Sequence, residues 1–360
     1  MIAMIRDRVE RFFGGGSAST SVPAMDGPLQ PNTLLDAAPV LARAEGLDNL
    51  TVIDGVLHAS AGADLLRIGA EGPQVIESFS APITCLAAAS GRLAIGLEGH
   101  GVLIRQNGSE TRVETLGGAP FLCPTAALFL GDGALVVASG ARDLPPSEWK
   151  RDLMSHGHSG SVWRIAADGA QTRLADRLAW PCGLAETPDG TLWVSEAWRH
   201  RVLRIGAGPV LDDLPGYPGR LIPAQGGGYF LALFAPRNQM IEFVLREKGF
   251  RTKMMAELDP DHWVAPALAS RDLIREPLLG GGVRQMGILK PWAPSKSYGL
   301  VIRLDAAGQP IASWHSRADG KRHGVTSLAE QDGRLVVGAQ GAGEAVTVDP
   351  MPAIRWEQAV

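Results

Sequence analysis

Residues Gly183–Ile205 read GLAETPDGTLWVSEAWRHRVLRI. Two apolar segments flank an Asp-Gly turn, and a polar turn then leads into a third segment ending Val-Leu-Arg-Ile. Asp-Gly supplies the positive φ that a tight hairpin demands. The alternation through Thr191-Leu192-Trp193-Val194-Ser195 fits a half-buried strand. The same plan recurs in both directions along the chain. LTVIDGVLHASAGADLLRI begins at Leu50, LAAASGRLAIGLEGHGVLI at Leu86 and AALFLGDGALVVASG at Ala126. Weaker copies are LIPAQGGGYFLALF at Leu221 and TSLAEQDGRLVVGAQG at Thr326.

The turn glycines fall at Gly55, Gly91, Gly133, Gly190, Gly228 and Gly333, separated by 36, 42, 57, 38 and 105 residues. Three of these gaps approach one four-stranded propeller blade, about 40–50 residues. The 57-residue gap implies an insertion at about 141–159, and the 105-residue gap a larger one at about 253–297. A lone blade cannot bury both faces of its sheet, so six copies must stack around an axis and close. The expectation is an all-β, six-bladed β-propeller over residues 23–360, with the two insertions capping one face. Within the second insertion, Trp263–Leu279 reads as helix-like. Pro31–Arg43 is expected to supply the outer strand that closes the ring.

Composition agrees with many turns: 44 Gly and 25 Pro in 360 residues, spread along the chain, exclude a helical bundle. A net charge of -4 and a pI near 6.1 give no basic footprint for nucleic acid. Cys85, Cys123 and Cys182 form no CxxC pair, so neither a disulfide framework nor a structural zinc site is indicated. No apolar run reaches the ~18 residues of a transmembrane helix, and the charged N-terminus does not read as a signal peptide. A cytoplasmic protein is expected. Residues 1–22 read as a short helix, Met1–Phe13, followed by a flexible GGGSASTS linker. Such a helix fits a membrane surface or a loosely packed terminus.

Residues just before each innermost strand converge on a propeller axis. They are Asp48-Asn49, Thr84-Cys85, Pro124-Thr125, Pro181-Cys182, Gly219-Arg220 and His323-Gly324-Val325. Four stretches in order carry a family resemblance: DGPLQPNTLLDAAPVL (Asp26–Leu41), LAWPCGLAETPDGTLWVSEAWRHRVLRI (Leu178–Ile205), LPGYPGR (Leu214–Arg220) and YGLVIRLDAAGQPIASWH with VTSLAEQDGRLVVGA (Tyr298–His315, Val325–Ala339). Together they resemble the strictosidine synthase-like family, within the superfamily of gluconolactonase/SMP-30 and paraoxonase-type six-bladed propellers. The resemblance implies that fold and a small-molecule site at the channel mouth. For many hydrolases of the superfamily it also implies a channel calcium held by carboxylates and Asn residues.

The departures from that pattern bear on chemistry. Asp48 stands at the first-blade position, but Cys182 replaces the family Asn of the fourth blade and is a soft ligand unsuited to calcium. Thr125 stands where another Asn is common. Gly219-Arg220 replaces Asp-Asn, removing an anion and installing a permanent cation. Calcium is therefore disfavoured, and no metal or other cofactor is expected. The glutamate of the family's condensing enzymes aligns with Thr326, so that chemistry does not transfer either.

The residues left around the axis propose their own chemistry. Asp48, Cys182 and His323 are the candidate catalytic groups, with Cys182 as nucleophile and His323 as base. Arg220 is a candidate clamp for a carboxylate or oxyanion, or alternatively an ion-pair partner of Asp48. Thr84, Cys85 and Thr125 complete the ring. Trp149, His156 and His158 of the first insertion, with Trp263 and Trp292 of the second, could roof the channel over a ligand. The functional expectation is an ester or lactone hydrolase, or a related lyase, without the usual calcium. The alternative is a non-catalytic propeller that binds an anionic small molecule or peptide.

Overall fold

The computed structural model describes residues 22–269, 284–285 and 288–352. The expected helix at 1–13 and most of its linker therefore lie outside the described residues. Six four-stranded antiparallel sheets form the blades of a propeller. Their innermost strands are Leu47–Ile53, Ile83–Ala89, Pro124–Phe129, Pro181–Glu186, Gly216–Pro223 and Val325–Gln331. Each packs against the inner strand of the next blade, and the sixth packs against the first.

Local chemistry explains the hairpins. All six turn glycines named from the sequence adopt positive φ, between 70° and 89°, where a Cβ would be strained. They join the inner strand of each blade to its second strand. The ring closes as expected: Val40–Arg43 pairs antiparallel with Glu344–Val348, so the sixth blade takes its outer strand from the start of the chain. Asn32 ties this entry segment to the fifth blade, donating to Ser313 O at 3.0 Å and accepting from His315 N at 3.0 Å.

One expectation needs correction. The second strand of blade four, Leu192–Glu196, is buried along its whole length instead of alternating. Blades stack face to face, so both faces of an interior strand meet protein. Trp193, for example, lies 4.4 Å from Tyr229 of the next blade, centroid to centroid.

Both insertions leave from the same place in their blades, between the second and third strands. Antiparallel order puts all such connections at the end of the propeller where the inner strands begin. The first insertion carries a short helix, Trp149–Met154. The second departs directly after Pro236, earlier than the expected 253, and forms helices Gln239–Arg246 and Lys248–Glu257. Asn238 caps the first of these through Met240 N at 2.9 Å, while its amide donates to Pro294 O and Ser295 O, pinning the two ends of the insertion together. Residues 263–269 are not helical, and 270–279 of the expected helix lie outside the described residues. No helix among the described residues is long and apolar enough to cross a membrane.

Two core histidines set a pH limit on this fold. Burial, reinforced by Arg237, lowers the pKa of His200 to about 3, and burial alone does the same for His315. Both must therefore stay neutral when folded but can protonate near 6.5 when unfolded, so their contribution is lost as pH falls from 6.5 toward 3. The urea midpoint should drop between pH 6.5 and about 4.5, above the main carboxylate range. Combining His200→Gln with His315→Gln should flatten that slope, whatever its effect on absolute stability.

Candidate functional site

Every inner strand carries a register shift at its start. The shifts lie between Asp48 and Thr51, Ile83 and Cys85, Pro124 and Ala126, Pro181 and Gly183, Pro218 and Leu221, and Val325 and Ser327. The displaced residues are thus Asn49 with Leu50, Thr84, Thr125, Cys182, Gly219 with Arg220, and Thr326. A bulge releases a residue from the ladder and re-aims it; six of them, arranged about one axis, build the site. Asn49 takes a left-handed φ of 53° to do so, a conformation in which Asn is enriched among non-glycine residues.

Around the ring, neighbouring blades are joined through these residues. Asn49 Nδ2 donates to Ile83 O at 3.1 Å and to Ser60 Oγ at 2.8 Å. Thr125 Oγ1 donates to Pro181 O at 2.6 Å, and Cys182 Sγ to Pro218 O at 3.1 Å. Thr326 Oγ1 donates to Asp48 Oδ1 at 2.6 Å, crossing from the last blade to the first.

Arg220 occupies the centre. Its two terminal nitrogens donate to Cys182 O at 2.8 Å, Thr84 O at 2.7 Å, Asn49 Oδ1 at 2.6 Å and Thr125 O. Four terminal N–H groups thus meet four acceptors from four different blades. Arg220 lines two cavities, one of about 320 Å³ toward the insertions and one of about 340 Å³ toward the opposite end.

The upper cavity brings together most of the residues expected at the axis, Asp48, Thr84, Thr125, Cys182 and Arg220, and adds Thr326. Trp149 reaches it from the first insertion and Leu268 from the second. Trp149, Trp180 and Phe234 form its aromatic wall. Trp198 lies behind that wall, stacked on Trp180 at 5.2 Å and on Trp149 at 6.2 Å between centroids. Asp48 and Glu98 are the carboxylates in the lining. Glu98 accepts from Ser147 Oγ at 2.5 Å, and neither acid forms an ion pair among the described residues.

Several expected residues are elsewhere or unsuited to the expected role. His323 does not line the cavity: its ring contacts Ser297 Oγ at 2.8 Å and Arg317 O at 2.7 Å. The sixth bulge falls three residues later, at Thr326. His156 contacts Leu245 O at 2.8 Å, joining the two insertions, and burial lowers its pKa. His158 is exposed and contacts His156 O at 3.0 Å. Trp263 is in the core beneath the second insertion, whereas Trp292 is 67% exposed. Of the expected roof, only Trp149 reaches the cavity.

Cys182 and His323 are therefore not assembled as a nucleophile and base. Burial pushes the Cys182 thiol up to about 11, away from the thiolate that nucleophilic attack requires. The same axis bears on the calcium that the family resemblance implies. The oxygens that converge there already hold a guanidinium, Cys182 is soft, and no three His, Cys, Asp or Glu side chains among the described residues are grouped to hold a metal.

The sequence reading missed Ser60, Glu98, Trp180, Phe234 and Gln340 as site residues, and it placed Asn49 at the axis without giving it a role. A usable signal existed for four of them. Ser60, Glu98, Phe234 and Gln340 stand at or next to the ends of second strands, which finish where the inner strands begin.

No family model matches the sequence, and no curated protein matches it. Solved structures do match in fold. A gluconolactonase from Xanthomonas campestris aligns over 91% of this chain and 96% of its own, with 17% identity and a TM-score of 0.54. The calcium-binding protein regucalcin from Agrobacterium tumefaciens aligns over 88% and 93%, with 14% identity and a TM-score of 0.52. The fold is that of the gluconolactonase and regucalcin propellers.

The burial of all three cysteines gives a direct check. Native protein at pH 8 should resist a thiol reagent such as DTNB, whereas urea-unfolded protein should release three equivalents. Rapid reaction of Cys182 in the native protein would restore the nucleophile reading.

Proposed function

We propose that the upper axial chamber binds a small ester or lactone and hydrolyses it, with Asp48 as general base and no thiol intermediate. The observation that carries this reading is the half-buried Asp48 carboxylate on the chamber floor. Thr326 holds it from the opposite side of the blade-six to blade-one seam. One carboxylate oxygen is oriented by that hydroxyl, leaving the other to take a proton from water. The water oxygen then bonds to the substrate carbonyl carbon, the alkoxide leaves, and Asp48 returns the proton to it. Ser60, Ser147 and Gln340 supply neutral polar groups around the same space.

A volume of about 320 Å³ is at the lower end of the range for small-molecule sites. Trp149, Trp180 and Phe234 offer flat apolar contact to the body of the ligand, and Leu268 adds an aliphatic one. The lactone class draws support from the gluconolactonase among the structural neighbours, which is fold-level analogy. Placement in the strictosidine synthase-like branch draws support from the quoted motifs, of which LPGYPGR runs into the fifth inner strand. The alternative, an anion-binding site, would have relied on Arg220, whose terminal nitrogens are taken by the protein itself.

A panel of aryl esters and five- and six-membered lactones tests this reading. Asp48→Asn should lower kcat by about 100-fold or more, with KM changed by less than about threefold. Cys182→Ala should retain activity. Equal turnover by wild type and Asp48→Asn would remove Asp48 from the mechanism, and an inactive wild type across the whole panel would remove the hydrolase reading.

A further inference from the structure

We propose that Arg220 is a cation supplied by the chain to an oxygen cage on the propeller axis, where it does the structural work of a bound metal ion. The cage consists of Thr84 O, Thr125 O, Cys182 O and Asn49 Oδ1, contributed by blades two, three, four and one. Arg220 itself comes from blade five. Each acceptor is neutral, and each belongs to or extends from a bulged residue whose polar atoms have left the strand ladder. Without a central donor these dipoles would point at one another, a costly arrangement in a protein interior.

The cage is built for a donor. Asn49 is buried, held at positive φ, and has its amide nitrogen engaged by Ser60 Oγ and Ile83 O. Its Oδ1 is left as a fixed acceptor facing the axis. A planar guanidinium can meet four such oxygens with its two terminal nitrogens, and it is more weakly hydrated than an ammonium. Lysine would bring three donors from a single point. Arg220 lines both the upper and the lower cavity.

This inference is independent of the Asp48 chemistry, and its test has no activity readout. Thermal unfolding of wild type should shift by less than about 1 °C with millimolar calcium or EDTA, since no site for the ion is open. Arg220→Ala should unfold about 5 °C lower or more, because four acceptors lose their partner. The vacated cage should then accept free guanidinium. Guanidinium chloride at about 20 mM, far below denaturing levels, should raise the Tm of Arg220→Ala by about 2 °C or more, and NaCl should not. Wild type should show no such rise. Arg220→Lys should lie between wild type and Arg220→Ala, at least about 2 °C below wild type.

Three results would overturn the proposal: stoichiometric, stabilising calcium in wild type; Arg220→Ala as stable as wild type; or guanidinium acting alike on both. If Arg220→Ala does not yield folded protein, Arg220→Lys decides. A Tm equal to wild type would show that the four-acceptor fork is not needed.

Discussion

Six strands that start at one axis bring many polar atoms close together. Everything near the channel follows from how those atoms are satisfied. Along each blade the antiparallel ladder takes care of the backbone, but at the bulges it lets go. Hydroxyl, amide and thiol donors then pair with carbonyls on the next blade, and one guanidinium gathers the remaining four oxygens. The ring of blades is thus joined twice: by apolar side chains between the sheets, and by polar bonds at the hub.

The hub also explains why the site differs from what the family resemblance implies. A carboxylate and several amide oxygens around an axis would suit calcium, whereas here four oxygens accept from a permanent organic cation. Asp48 keeps its place and takes its hydrogen bond from Thr326, the position where the condensing enzymes of the resembling family carry a glutamate. Inner-strand bulge residues can thus differ while the blade that carries them keeps its four-stranded order.

How much of this was legible depended on range. Hairpin turns are local events, so Asp-Gly and Gly-Gly pairs announced the blades, and the chain entry announced the closing strand. Five bulge positions were legible because the inner strand opens each repeat. The sixth was misplaced at His323, since nothing in His-Gly-Val-Thr marks which residue leaves the ladder. The acceptors of Arg220 were invisible because three are backbone carbonyls, which any residue provides. The insertion boundary was late by about 16 residues, because Tyr229–Pro236 and the amphipathic segment after it are both apolar enough to pass as one strand region.

The placement of Arg220 has a consequence for traffic. A propeller channel can in principle run from one end to the other, giving a ligand two ways in or out. Here one side chain, Arg220, lines both chambers, so a ligand moving between the two ends would meet a guanidinium that four blades hold in place. Trp149 and Leu268, one from each insertion, line the upper chamber as well, which makes the two insertions the natural place to look for what governs the passage of a ligand.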